Sequence, residues 1–132
     1  MALDPERDYP LGSRRPDLVR SPTGRALADL ALESDISAAD LRATPDTLRL
    51  QAEVARAACR SQLADNLVRA AELAGIPDET ILEIYTALRP RRASAEELEA
   101  WAARLDDVGA PANAAFVREA AEVYAQRGLL AP

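Results

Sequence analysis

The chain has 132 residues, with 16 arginines against 22 acidic residues (formal net charge -6), no histidine, no lysine and a single cysteine. These absences exclude Ser/His/Asp and Cys/His nucleophiles, imidazole metal ligands, Schiff-base lysines and the lysine of a phosphate-binding P-loop. The acidic balance excludes an ordinary nucleic-acid footprint, which needs a basic face to displace counterions.

In chain order, residues 1–36 read as an extended, proline-punctuated N-terminal arm. Pro5, Pro10, Pro16 and Pro22 fix φ and bias the preceding residues toward extended geometry, so regular helix is not expected there. Ser21-Pro22-Thr23-Gly24 carries type I turn chemistry. Leu30 and Leu32 alternate as in a short strand, while Leu27 and Leu30 also fit a helical turn. Tyr9, Leu11, Leu18 and Val19 supply apolar side chains that would dock the arm on a neighbouring surface.

Residues 37–132 read as a helical domain. Ser37 with Asp40 has the spacing of a capping box around a short turn. Thr44 as N-cap and Pro45 at N1 open a helix that the pattern carries for about 30 residues to Gly75 and Pro77. Its stripe of Leu48, Ala52, Ala55, Cys59, Leu63, Leu67, Ala70, Ala71 and Ala74 recurs at helical spacing. A second helix over Asp78 to Arg89 places Ile81, Ile84, Tyr85 and Leu88 on one face, with acids at its positive end. Ser94 and Glu97 form a capping box for a third, carrying Leu98, Trp101, Ala102 and Leu105 and stopped by Gly109. Pro111 opens a fourth, with Ala112, Ala115, Phe116, Ala120, Val123 and Tyr124, closed by Gly128. The expected fold is all-α, a small open helical bundle of three to four helices with the N-terminal arm attached. Its core is poor in large side chains: 29 residues are alanine, while Phe, Trp and Met occur once each. Alanine buries little apolar surface, so such a domain is expected to need a partner for full stability.

The chemistry-bearing residues each have a structural account. Cys59 falls on the small-residue stripe as a packing thiol, and as a lone cysteine it fits a reducing cytoplasm. Asp78/Glu79 and Glu96/Glu97 occupy first turns, where the helix dipole favours acids. Asp106/Asp107 meets the unfavourable end of a helix and calls for solvent or an arginine of a partner chain, a hint of an interface. Arg89, Arg91 and Arg92 around Pro90 form the densest basic spot, suited to a helix terminus, a phosphate or a partner carboxylate. Trp101 and Phe116 read as core, whereas Tyr85 and Tyr124 suit an interface. No metal-ligand spacing or glycine-rich phosphate loop occurs, and no apolar run of spanning length predicts a membrane segment.

Six strings occur in register: Asp8-Tyr9-Pro10-Leu11, Ser21-Pro22-Thr23-Gly24, Arg69-Ala70-Ala71-Glu72-Leu73, Ile76-Pro77-Asp78-Glu79, the run from Ile81 to Pro90, and the run from Asn113 to Tyr124. Together they resemble the small (gamma) subunit of adenosylcobalamin-dependent diol and glycerol dehydratases, from Asp8 to Leu129.

That resemblance implies a non-catalytic subunit in a complex with large and medium subunits, arranged as a dimer of heterotrimers that converts propane-1,2-diol or glycerol to an aldehyde. Adenosylcobalamin and a potassium or other cation would serve the other subunits; no catalytic, cofactor-binding or metal residue carries over to this chain. The small subunit would pack against the large one. The proposed contacts or their immediate supports are Tyr9, Leu11, Leu18, Tyr85, Arg89, Arg91, Phe116 and Tyr124, because they lie in or beside the recognisable strings. Only eight residues precede Tyr9, where microcompartment-associated relatives often carry a long extension, so a cytoplasmic complex is expected, with any microcompartment address on another subunit. The competing reading is a freestanding helical interaction module with no enzymatic role, with neither nucleic acid nor membrane as partner in either case.

Overall fold

A computed structural model describes residues 2–30 and 35–132, which form two compact units, Met1–Ala74 and Gly75–Pro132. The all-α expectation holds: eight α-helices and no strand occur among the described residues, with one isolated antiparallel bridge between Arg20 and Ala26. The helix count exceeds three to four for two reasons, both in the first unit.

The first reason lies in the proline-rich segment, which contains three single-turn helices: α1 (Pro5–Asp8), α2 (Leu11–Arg14) and α3 (Leu27–Leu30). Proline starts helical turns here instead of excluding them. The Asp4 carboxylate accepts from the Glu6 N–H at 2.9 Å and Pro5 occupies the first helical position, where its missing N–H costs nothing. Residues 21–24 close as a turn through the Gly24 N–H donated to the Ser21 carbonyl at 2.9 Å. Of the alternatives for residues 26–32, Leu27 and Leu30 take the helical one; Leu32 lies outside the described residues.

The second reason is a break in the long helix, which divides into α4 (Pro45–Ala57) and α5 (Ser61–Leu73). Its start is as expected, with Thr44 Oγ1 accepting from the Thr47 N–H and Pro45 at N1. At its end the Cys59 N–H donates to the Arg56 carbonyl (3.0 Å) and the Arg60 N–H to the Ala55 carbonyl (2.9 Å), while Cys59 adopts φ 62°. These two bonds and the left-handed residue make a Schellman motif, normally completed by glycine. Cys59 is therefore an exposed helix-terminating residue and not a buried packing thiol. Leu63, on the far side of the break, is also exposed, and the register restarts on Ala64, Leu67, Val68 and Ala71. Ala52, Ala55 and Ala64 form the seam where α4 and α5 pack, covered by Tyr9, Leu67 and Val68.

Two buried carboxylates organise the segments of this unit that precede α4. Asp8, fully removed from solvent, accepts from the Asp4 N–H (2.8 Å), from Arg7 (2.7 and 2.8 Å) and from Arg15 (3.4 Å). Asp40, in a 3₁₀ turn over Ala38–Leu41, accepts from Thr23 Oγ1 (2.5 Å), Arg25 (2.9 Å), and the Ser37 N–H (3.0 Å), the last being the expected capping-box bond. Between them, the Arg20 N–H donates to Thr47 Oγ1 at 3.0 Å and the Thr44 hydroxyl donates to the Arg20 carbonyl at 3.2 Å.

The second unit comprises α6 (Asp78–Ala87), α7 (Ala95–Asp107) and α8 (Pro111–Arg127). Its boundaries follow the sequence signals. Ser94 Oγ accepts from the Glu97 N–H at 3.1 Å and Glu97 accepts from the Ser94 N–H at 2.9 Å, a complete capping box. Gly109, at φ 79°, ends α7 through the same pair of bonds seen at Cys59: Gly109 N–H to Asp106 (3.1 Å) and Ala110 N–H to Leu105 (2.8 Å). The short link turns α8 back along α7, burying Leu98, Ala102 and Leu105 with Ala110, Ala114 and Val117. The buried face of α8 is thus shifted by one or two residues from the expected stripe, leaving Phe116 45% exposed instead of in the core.

Candidate subunit interface

The eight residues proposed as contacts fall in both units. In the first, Leu11 is only 2% exposed and acts as core, a support and not itself a contact surface. Tyr9 is half-buried on the alanine seam, with the Arg60 guanidinium 5.4 Å from its ring centroid, and Leu18 is also half-buried. In the second unit, Tyr85, Arg89, Arg91 and Tyr124 gather around the end of α6. Tyr85 is 63% exposed, with Arg89 5.9 Å from its ring centroid, a cation–π distance. Tyr124 reaches from α8 to donate its hydroxyl to the Leu88 carbonyl at 2.5 Å. Phe116 lies eight residues before Tyr124 on α8, about 12 Å along the helix axis, and does not join this group.

Leu82 was not among the expected contacts, yet it is 64% exposed on the helix that carries Tyr85. Its signal was present: Leu82 is out of phase with the Ile81, Ile84 and Leu88 stripe, an apolar side chain on a polar face. Val108, beside Gly109, is exposed as well, above a groove walled by Ile76, Pro77, Trp101 and Arg104. Trp101 is half-buried, with the Arg104 guanidinium 4.4 Å from its ring centroid.

The hint of an intermolecular arginine at Asp106 is corrected by an internal one. Arg118 donates to Asp106 at 2.8 Å and to both oxygens of Glu99 at 2.8 to 3.2 Å, joining α8 to α7. Arg118 thereby lowers the Glu99 pKa below the ordinary carboxylate value. In the first unit, Arg7 and the Asp4 N–H hold the Asp8 carboxyl far below the usual range, while Thr23 and the Ser37 N–H bring Asp40 to about 2. These are carboxylates fixed in the ionised state and saturated with donors, unsuited to accepting a proton at neutral pH. No group of three or more potential metal-ligating His, Cys, Asp or Glu side chains occurs among the described residues. Nor does any helix among them have the length and hydropathy to cross a membrane. What the exposed side chains can do is bind another surface.

Comparison with known proteins decides which kind. The family described as dehydratase small subunit matches residues 5–131. The chain belongs to this family. It is 50% identical over 125 residues to the propanediol dehydratase small subunit of Citrobacter freundii, covering 91% of this chain and 73% of that one. It is likewise 50% identical over 125 residues to the propanediol dehydratase small subunit of Salmonella typhimurium, covering 91% and 72%. Membership of a small-subunit family implies partnership with other dehydratase subunits, and the exposed Leu82, Tyr85 and neighbouring arginines are of the residue types that interfaces use.

Proposed function

We propose that this chain is the non-catalytic small subunit of an adenosylcobalamin-dependent diol dehydratase, a hydro-lyase that converts propane-1,2-diol or glycerol to an aldehyde. The observation that carries this reading is the family match across nearly the whole chain, 5–131. The side-chain inventory supports it, since neither histidine nor lysine is available for proton transfer at neutral pH.

The chain packs against the large subunit in an assembly with the medium subunit, two copies of each, in the cytoplasm. Tyr9, Leu18, Tyr85, Arg89, Arg91, Phe116 and Tyr124 contribute to that contact, with Leu11 holding Tyr9 and its neighbours in place. Adenosylcobalamin and a potassium ion supply radical chemistry and substrate coordination on the other subunits. No residue of this chain is proposed to hold either group: its two buried carboxylates are occupied by arginines, hydroxyls and backbone N–H groups of their own unit.

The test is co-expression with the large- and medium-subunit genes of the same source. A heteromeric assembly that turns over propane-1,2-diol or glycerol only with added adenosylcobalamin, and loses its activity or integrity when this chain is omitted, is the expected result. A chain that stays monomeric beside soluble large and medium subunits would favour the freestanding module instead. Deleting residues 1–19 is a poor version of this test, because Asp8 and Leu11 belong to the core of the first unit and their loss would unfold it.

A further inference from the structure

The turn that follows α6 carries three arginines, Arg89, Arg91 and Arg92, around Pro90, and three bonds hold it against the end of the chain. The Leu88 carbonyl accepts from Tyr124 Oη (2.5 Å), the Arg91 N–H donates to the Leu129 carbonyl (2.7 Å), and the Ala131 N–H donates to the Ala93 carbonyl (2.9 Å). Arg91 itself sits at φ 67°, a left-handed conformation that favours glycine. A guanidinium is therefore kept, in a rigid mount, at a position whose backbone would be easier to form without any side chain.

All three arginines are exposed, and neither Arg91 nor Arg92 reaches a carboxylate among the described residues. Other arginines of this acidic chain pair with internal carboxylates, Arg7 and Arg15 with Asp8, Arg25 with Asp40, Arg56 with Asp65, and Arg118 with Glu99 and Asp106, while Arg60 and Arg104 stack on Tyr9 and Trp101; what sets the turn apart is that three arginines fall within four positions. The turn is an island of positive charge adjoining the exposed apolar pair Leu82 and Tyr85 on α6. Aromatic and arginine side chains beside apolar surface are the composition of a protein interface.

The backbone of the turn offers no anion nest, so any anionic partner is met by the guanidiniums alone. A phosphate cradle needs free N–H groups converging on one point. Here the Arg89 N–H is donated to Thr86 (3.2 Å), the Arg92 N–H to Arg89 (3.2 Å), the Arg91 N–H to Leu129, and Pro90 has none. Glu83 and Glu97 line the groove shared with Arg92, which further weakens the field a free dianion would need. What remains is three exposed arginines on one turn beside exposed apolar side chains, a composition that suits the carboxylates of a protein partner.

We infer that the 89–92 turn docks on a carboxylate-rich face of the large subunit, with Leu82 and Tyr85 forming the apolar part of the same contact. This rests on the function proposed above, and the experiment separates the two. Tagged large subunit is co-expressed with the medium subunit and this chain, captured, and washed over a range of sodium chloride, and the retained small subunit is measured. Wild-type chain that is never retained overturns the parent reading. If it is retained, R91E/R92E is expected to weaken retention at least tenfold and to release at lower salt, because like charges would face each other. R91G provides the folding control, since glycine suits φ 67° and relaxes the turn; it should keep or raise the thermal midpoint of the purified assembly while still lowering its salt resistance. Wild-type salt resistance in both R91E/R92E and R91G overturns the inference. So does release of the wild-type chain by millimolar inorganic phosphate at constant ionic strength, which would make the turn an anion site.

Discussion

The two units reach compactness by different routes. The first joins an alanine seam between α4 and α5 to a polar web in which Asp8 and Asp40 gather donors from α1, α2, the 21–25 turn and Ser37. The second is a helical hairpin of conventional aliphatic packing, with Leu98, Leu105 and Val117 at its centre and its ion pairs at the surface. Buried charge makes the first unit dependent on ionisation, and buried hydrocarbon makes the second dependent on volume. Where large apolar side chains are scarce, a folded unit can still be assembled, provided each buried polar side chain finds its partners; no buried side-chain nitrogen or oxygen in the described residues lacks one.

Acid should separate the units most strongly. The folded pKa of Asp40, about 2, and that of Asp8 lie below the ordinary value of 3.8, so the unfolded chain takes up protons first as pH falls. The stability these groups contribute is fully present above about pH 4 and is lost as pH falls toward 2 and below. Amide protection, corrected for the intrinsic pH dependence of exchange, is expected to fall across residues 4–30 and 35–47 through that window well ahead of residues 95–124. An equal loss of protection in both units would show that the carboxylate web is not what distinguishes them.

Volume should separate them in the opposite sense. Leu98→Ala should destabilise the second unit by about 3 kcal/mol, through lost burial and the cavity left behind. Ala55→Leu, which forces a larger side chain into the seam of the first, should cost about 1–3 kcal/mol. Thermal or urea unfolding of each variant checks both figures. A neutral Ala55→Leu would mean that the seam has spare room.

The smallest contrast concerns one motif used twice. Cys59→Gly should stabilise the chain by up to about 1 kcal/mol, and Gly109→Ala should destabilise it by about the same amount, because both positions have positive φ. Opposite signs in paired melting curves are the expected outcome.

That pair also explains what the sequence could and could not disclose. Gly109 announced the end of α7 because glycine is the usual residue at a left-handed helix terminus, whereas Cys59 performs the identical task without any local signal, so the periodic stripe ran straight through it. Pro5 and Pro10 bias the residues before them toward extended backbone, yet Asp4 ahead of Pro5 is the legible sign of a helix start. Ser94, Glu97, Pro111 and Gly128 marked the second unit accurately because its boundaries rest on local capping chemistry. The partners of Asp8 and Asp40 were illegible for the converse reason: Arg15, Thr23 and Arg25 are brought to them by tertiary folding and follow no helical or strand period. Among the proposed contact residues, spacing alone brings Tyr85 and Arg89 close in the chain, although α6 ends at Ala87 and leaves Arg89 in the turn beyond it, whereas the tie from Tyr124 to Leu88 spans 36 positions.

Trp101 is the sole indole of the chain and lies on α7, beneath Arg104. Intrinsic emission excited at the red edge of ultraviolet absorption will consequently report the surroundings of α7, with no indole in the first unit to report its own. A fluorescence titration that ends on a flat baseline could therefore coexist with an unravelled amino-terminal half, and circular dichroism alongside it would expose the mismatch.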